Sequence, residues 1–225
     1  MQRIIEPELL DLLAAQDLRA QASRRDLQRI NFVMRNQAIM ARLLRPLPAP
    51  KRLADLGSGD GRFLLGVARR MAPYWPQVTA LVVDRQDLVT ARTRAGFAAL
   101  GWRCESITGD IFETLPQLDA EVITANLFLH HLDAPNLARL LTLAARKARG
   151  FVACEPRRSP VALLASRMVF ALACNDVTRH DAVASVRAGF VGVELSRLWP
   201  RAGWHLHEGR ALPFTHILSA TRDAV

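Results

Sequence analysis

Gly57, Gly59 and Gly61 stand at alternate positions just after an apolar run, residues 53–56, that carries Asp55; Ser58 and Asp60 separate them. A loop of this kind lets backbone come close to a bulky ligand, because no Cβ blocks the way and positive φ costs glycine little. The spacing is G-x-G-x-G, not the dinucleotide fingerprint G-x-G-x-x-G/A, and no Gly-Lys-Ser/Thr follows as a phosphate loop requires. Other polar groups recur at the ends of later apolar runs: Asp84 and Arg85 after 80–83, Asp110 and Ile111 after 103–107, and Asn126 after 121–125. A carboxylate so placed can accept hydrogen bonds from two hydroxyls at once. A second set suits proton transfer. His130 and His131 follow Asn126, and Glu155 ends the run 151–155. Imidazole, with its usual pKa of about 6.5, can take a proton from a phenol of pKa about 10 near neutrality. A neighbouring carboxylate would orient the ring and stabilise its charged form.

These residues need elements to hold them. From residue 50 to 155 strand-like and helix-like runs alternate, the pattern of a parallel sheet wound with crossover helices. The runs that end in Asn126 and Glu155 become neighbouring strands, so a carboxylate and an imidazole arrive side by side. Adjacent residues on a helix point about 100° apart, so only one histidine of the pair should face the cleft, and His130 is the choice. Before the sheet, residues 6–20 and 24–44 read as two helices, with Ser23 and Asp26 as a capping box opening the second. Asp84 has a second reading as the N-cap of a helix over 87–99, and Asp110 as the cap of a turn; both can hold together with ligand binding. After residue 155, the stretch 160–174 is nearly all apolar, and 175–181 reads as a polar turn before another short helix. Segments 204–211 and 214–221 read as a closing hairpin. Its histidines, His205, His207 and His216, alternate as on a solvated or edge face.

The order of these motifs resembles the class I S-adenosylmethionine-dependent methyltransferases over about residues 50–155. The likeness rests on Asp55-x-Gly57-x-Gly59-x-Gly61, Asp84, Asp110-Ile111, and Asn126 followed by Leu127-Phe128-Leu129-His130-His131-Leu132. It implies an α/β fold: a Rossmann-like, doubly wound, seven-stranded sheet with N-terminal helices and a helical lid inserted after the fifth strand. The cofactor implied is S-adenosyl-L-methionine. Asp55, Gly57, Ser58, Gly59 and Gly61 would form its loop, Asp84 with Arg85 would lie at the ribose, Asp110 and Ile111 at the adenine, and Asn126 beside them. The resemblance divides a single domain, 1–225, into a helical cap (1–48), a cofactor core (50–155), a lid (156–190) and a C-terminal hairpin (191–225). Met168, Phe170 and Leu172 are wall candidates in the lid; the same apolar helix also reads as core or as a dimer contact. His180, between Arg179 and Asp181, is a competing base or acceptor-binding group.

A weaker likeness, over about 30–221, is to bacterial methyltransferases often encoded with type III polyketide synthases. It rests on FLHHLD, the E-P-R-R-S-P turn and the N-D-V-T-R-H-D segment. It implies a small apolar, phenolic or polyketide-like acceptor methylated on oxygen, with quinone-type C-methylation as the alternative. The net charge of +9 keeps an RNA or protein methyltransferase in view. Against that, Asn126-Leu127-Phe128-Leu129 is not the Asn/Asp-Pro-Pro-aromatic sequence that clamps a flipped base amine. The arginines are scattered, without interleaved aromatics, so no nucleic-acid partner is expected. A nicotinamide reductase is disfavoured by the glycine spacing and the lack of a Tyr-x-x-x-Lys pair. The three cysteines, Cys104, Cys154 and Cys174, show no C-x-x-C spacing, so no metal and no disulfide framework is expected. With no signal-peptide pattern and no long uncharged apolar run, the expected location is cytoplasmic and no membrane span is expected.

Overall fold

Strands β1 (Arg52–Leu56), β4 (Val122–Asn126) and β5 (Gly150–Pro156) are buried on both faces over almost their whole length. That is why they read as continuous apolar runs: helices cover both faces of a parallel sheet. The computed structural model describes residues 1–169 and 173–222. In chain order its helices and strands are α1 (Leu9–Leu12), α2 (Leu18–Met34), α3 (Asn36–Leu44), β1, α4 (Arg62–Met71), β2 (Thr79–Asp84), α5 (Ala91–Ala98), β3 (Arg103–Thr108), α6 (Ile111–Thr114), β4, α7 (Ala134–Lys147), β5, α8 (Pro160–Arg167), α9 (Asp176–Ala188), β6 (Trp204–Ala211) and β7 (Thr215–Arg222).

The seven strands form one sheet in the order β3-β2-β1-β4-β5-β7-β6. The first five are parallel, and β7 runs antiparallel between β5 and β6. This is the doubly wound seven-stranded sheet with a helical insertion after the fifth strand. The direction of winding reverses between β1 and β4, and the crevice beyond their carboxyl ends is where such sheets take ligands. One apolar core lies under α7 and β6, with Leu137, Leu141, Phe151 and Trp199. The other lies under α3, α4 and α5, with Met40, Leu64, Val82 and Phe97.

Several boundaries differ from the sequence reading. The N-terminal region holds three helices, and the break falls at Arg35, in the left-handed region at φ 58. Ser23 and Asp26 do not open a helix; Asp17 caps α2, and both residues are buried in its middle. They serve α9 instead: Thr178 Oγ1 donates to Ser23 Oγ (2.9 Å) and to Asp26 Oδ2 (3.1 Å), and Asn175 N donates to Asp26 Oδ2 (2.9 Å). A capping-box spacing cannot tell a local cap from a cross-chain one. Thr90, not Asp84, caps α5 by accepting from Thr93 N at 3.1 Å. Residues 176–181 are helix, not turn, because the Asn175 side chain accepts from Thr178 N and starts α9 early. Within the 160–174 run, α8 ends at Arg167; Phe170 and Leu172 lie outside the described residues. His216 is not on a solvated face. It is 2% exposed, with Nε2 2.7 Å from Glu208 Oε1.

Residues 1–8 carry no regular structure and run as a strap between α9 and the turn after β4. Arg3 donates to the carbonyls of His130 (3.1 Å), Leu132 (2.9 Å) and Ala188 (2.8 Å). At four residues α1 is too short to stand alone. It is held because the buried Asp181 carboxylate accepts from Leu9 N (2.8 Å) and Leu10 N (3.0 Å).

Candidate active site

The glycine loop after β1 is shaped by backbone sterics. Gly57, Gly59 and Gly61 all have positive φ, at +64, +55 and +72. A Cβ on Gly57 would also meet the Phe128 ring at 2.2 Å, so only glycine fits there. Asp84, at the end of β2, accepts from Gly59 N at 2.8 Å and from Gln86 N at 3.1 Å. One carboxylate thus fixes the loop and still has lone pairs facing the crevice. Asp55 is fully buried and accepts from Thr124 Oγ1 at 2.7 Å across the β1–β4 pair. Burial pushes its pKa up, against that hydrogen bond, to about 7. Asp110 caps α6 by accepting from Phe112 N at 2.8 Å, with Arg85 3.5 Å from its other oxygen. Asn126 joins a buried amide cluster: its Nδ2 donates to Asn31 Oδ1, and its Oδ1 accepts from Asn36 Nδ2, both at 3.0 Å.

A cleft of about 610 Å³ runs over these groups. Asp55, Gly57, Ser58, Gly59, Asp84, Arg85, Ile111 and Asn126 line it, and so do His130 and His131. Gly61, Asp110, Glu155 and His180 are not on its wall. Gly61 begins α4 with its α-carbon packed toward Val82, and Asp110 sits one residue before the lining Ile111.

The histidine pair lies on a single 3-10 turn, Leu129–His131, not on an α-helix. Both residues line the cleft all the same, with ring centroids 4.3 Å apart, and the expectation that only one would do so is corrected. Glu155 organises that turn from beneath. Its carboxylate, 0% exposed, accepts from Phe128 N (3.0 Å), Leu129 N (2.9 Å) and His130 N (3.3 Å), and lies 2.8 Å from His130 Nδ1. His130 Nε2 lies 3.2 Å from Glu8 Oε1 on the strap. Burial lowers the pKa of His130, but hydrogen bonds and charge from Glu155 and Glu8 outweigh it and raise it to about 9. Burial raises the pKa of Glu8, yet His130 and His131 with the Ser185 hydroxyl bring it down to about 2. The ring is thus held as an imidazolium between two carboxylates. The ligating atoms of Glu8, His130 and His131 lie within 4.8 Å of one another, close enough to surround a metal ion. In the structure His130 and Glu8 are hydrogen-bonded to each other. His180 is half exposed on α9, its Nδ1 3.0 Å from Asp181 Oδ1, and reaches neither histidine nor cleft.

Behind the strap a second cavity of about 280 Å³ opens between α2, α8 and α9. Its wall is mostly aliphatic, with Ile30, Val33, Met34, Ala165 and Met168. Glu8, Leu10, Leu27, Leu127 and Ser185 line both this cavity and the cleft, so the two spaces share one thin wall. Glu8 is the charged group in that wall.

Residues 53–149 match the family model of the methyltransferase domain. The matched segment runs from β1 through α7. Among solved structures, the chain is similar to an O-methyltransferase family protein from Burkholderia thailandensis, with TM-score 0.63, 19% identity, and coverage of 93% of this chain and 61% of that one. It is similar to a plantazolicin methyltransferase bound to a substrate analogue and S-adenosylhomocysteine, with TM-score 0.64, 12% identity, and coverage of 91% and 90%. Human N-acetylserotonin methyltransferase, in complex with S-adenosylmethionine, gives TM-score 0.53 and 17% identity, with coverage of 95% and 61%. At these identities the likeness shows the fold. The chain spans about three fifths of the length of the first and third of these proteins.

The matched segment carries the loop and the strand-end groups, but not everything at the site. Sequence reasoning missed Glu8, Ser185, Asn31 and Asn36. Glu8 sits in a segment without periodicity, and nothing local marks it. Asn31 and Asn36 did leave a signal: both are polar residues set among the apolar positions of α2 and α3, and both are buried. A buried amide must find partners. These two find Asn126 and Thr215, tying α2 and α3 to the carboxyl end of the parallel strands.

Proposed function

We propose that this protein transfers a methyl group from S-adenosylmethionine to a hydroxyl oxygen of a small apolar acceptor held in the α2–α8–α9 cavity. The carrying observation is the pair of adjoining spaces: a polar cleft on the glycine loop and an aliphatic cavity that shares Leu127, Glu8 and Ser185 with it. The cleft's own charges suit the cofactor. Asp55, Asp60 and Asp84 face it, which favours a sulfonium and an ammonium and disfavours a pyrophosphate. Asp84 would take the ribose hydroxyls, Ile111 and Asp110 the adenine, and Asp55 would answer the cationic amino-acid end. The reaction is an in-line displacement: the acceptor oxygen forms its bond to the methyl carbon as the carbon–sulfur bond breaks, leaving S-adenosylhomocysteine. Most of the acceleration then comes from alignment and exclusion of water.

The acceptor proton goes to His130. With Glu8 against Nε2 the ring is already protonated, so the arrangement described is a resting one. An acceptor hydroxyl that takes the place of Glu8 removes one of the carboxylates that hold the proton. The Nε2 proton leaves with the displaced Glu8 carboxyl, and the neutral ring can then accept the acceptor's proton at Nε2 while Glu155 keeps Nδ1–H oriented. His131 borders the same space and is the alternative base.

The test is transfer itself. The protein is incubated with S-adenosylmethionine and a panel of phenols bearing alkyl chains of increasing length, and each product is weighed for one added methylene unit. Gain of that mass on oxygen, increasing with chain length until the cavity is full, is the expected result. Methylation of ring carbon, or of RNA in preference to every phenol, would replace this reading.

A further inference from the structure

Bulky apolar side chains and arginines stand exposed together on α2 and α8. On α8 and its C-cap residue, Val161, Leu164 and Met168 follow at i, i+3 and i+7, so they make one stripe, and they are 69%, 61% and 54% exposed. On α2, Arg25, Arg29 and Phe32 follow at i, i+4 and i+7, and Phe32 is 83% exposed. Val33 and Met168 both line the aliphatic cavity and both face solvent, so the cavity opens between these two stripes. Arg25, Arg35 and Arg167 are exposed, and Arg35 and Arg167 are next in the chain to Met34, Ser166 and Met168 of the cavity wall. Helix α8 carries no acid, and the one acid within α2, Asp26, is buried and paired with Arg29 at 2.7 Å.

We propose that this face settles on an anionic lipid bilayer, with the cavity mouth against the membrane, so that a lipophilic acceptor enters from the lipid. The proposal rests on reading the α2–α8–α9 cavity as the acceptor site. Bulky apolar side chains interleaved with arginines are what an interfacial surface needs: the former enter the acyl boundary and the latter meet phosphates. A second copy of the chain fits less well, because a two-fold contact would set these arginines against themselves. The aliphatic cavity behind the stripe favours lipid over an acidic protein, which would use the cations and leave the opening unexplained.

The experiment is cosedimentation of the full chain with vesicles of mixed phosphatidylglycerol and phosphatidylcholine, and with phosphatidylcholine alone. Partition onto the mixed vesicles, and little onto the neutral ones, is expected. The triple variant Phe32→Ser, Val161→Ser, Leu164→Ser should lower that partition at least about tenfold. None of the three lines the cleft or the cavity, so its affinity for S-adenosylmethionine should match the wild type and show that it folds. The pair Arg25→Glu, Arg167→Glu should also weaken binding to the mixed vesicles. No partition onto anionic vesicles would overturn the proposal. So would wild-type partition by the triple variant, since diffuse net charge would then explain binding. Self-association through this face, abolished by the triple variant, would replace the bilayer with a second copy. Vesicle binding is read without acceptor or turnover, so its failure leaves the methyl-transfer reading standing, and a chain that methylates nothing can still pass it.

Discussion

The two sides of the proposed site are built in opposite ways. The side read as the cofactor's is assembled at strand ends: Gly57–Gly61 after β1, Asp84 at the end of β2, Asp110 after β3 and Asn126 at the end of β4. Every group arrives with a local motif, and the parallel sheet sets their order. The acceptor side is assembled from segments far apart in the chain. Glu8 meets His130 and Ser185, and Asp181 holds the amide ends of α1. No single stretch carries it. The first kind of site is preformed by the core, while the second depends on a strap of residues held by a few polar contacts. Substitutions should therefore separate the two sides.

The largest effect is expected at His130, where acceptor chemistry meets the core. His130→Ala leaves the buried carboxylates of Glu8 and Glu155 facing each other without a cation, at a cost of about 3–5 kcal/mol in folding stability. His131→Ala, at a more exposed ring, should cost less than about 1 kcal/mol. Denaturant unfolding of both variants checks this; equal losses would mean that the buried pair is no keystone. The same contact sets a pH dependence. The folded pKa of His130 lies above its ordinary 6.5, so its contribution is complete below that value and fades as pH rises through about 9. The Glu8 contribution is complete above its ordinary 4.5 and fades as pH falls through about 2. Wild-type stability should thus decline on the alkaline side, and His130→Ala should lack that slope.

On the cofactor side, Asp84→Ala should weaken S-adenosylhomocysteine by about 2–4 kcal/mol, from about 1–2 kcal/mol for each ribose hydrogen bond lost. Calorimetry measures it. Unchanged affinity would take Asp84 out of the ribose site and leave it its bonds to Gly59 and Gln86. A smaller and purely local effect is expected from Asp181→Ala. It frees Leu9 N and Leu10 N, and by about 1–3 kcal/mol should ease opening of the strap. Faster hydrogen exchange at those amides, with cofactor affinity unaltered, would sharpen the contrast; slower cofactor dissociation would blur it.

The mildest signature is a titration. The Asp55 carboxyl, raised to about 7 by burial, must ionise to answer a cationic cofactor. Affinity should accordingly rise with pH up to about 7, by at most about tenfold per unit, and level off above it. In Asp55→Asn the profile should be flat. A sloping profile in that variant would assign the titration to another group.

What was legible in the sequence follows the same division. Gly57, Gly59 and Gly61 were readable because positive φ and close approach demand glycine, and each strand-end acid was readable because an apolar run announces the strand beneath it. Glu155 beside His130 was readable as well, since β4 and β5 are neighbours in the wound order. His216, by contrast, looked solvated because a hairpin gives no hint of what covers it; Glu208 and Phe190 decide that from elsewhere. Ser23 and Asp26 looked like a local cap because spacing is blind to a partner on α9.

By itself, then, the sequence determined the sheet, the loop conformation and the strand-end positions of Asp84, Asp110 and Asn126, because these depend on backbone sterics and on periodicity within a few residues. Only the tertiary structure decided that Glu8 crosses the chain to hold His130 as an imidazolium, that both histidines face one cleft, and that α2, α8 and α9 enclose an aliphatic cavity. Those outcomes depend on which buried donors and acceptors must find one another across long separations. No local pattern records that requirement, because it is met only when the whole core closes.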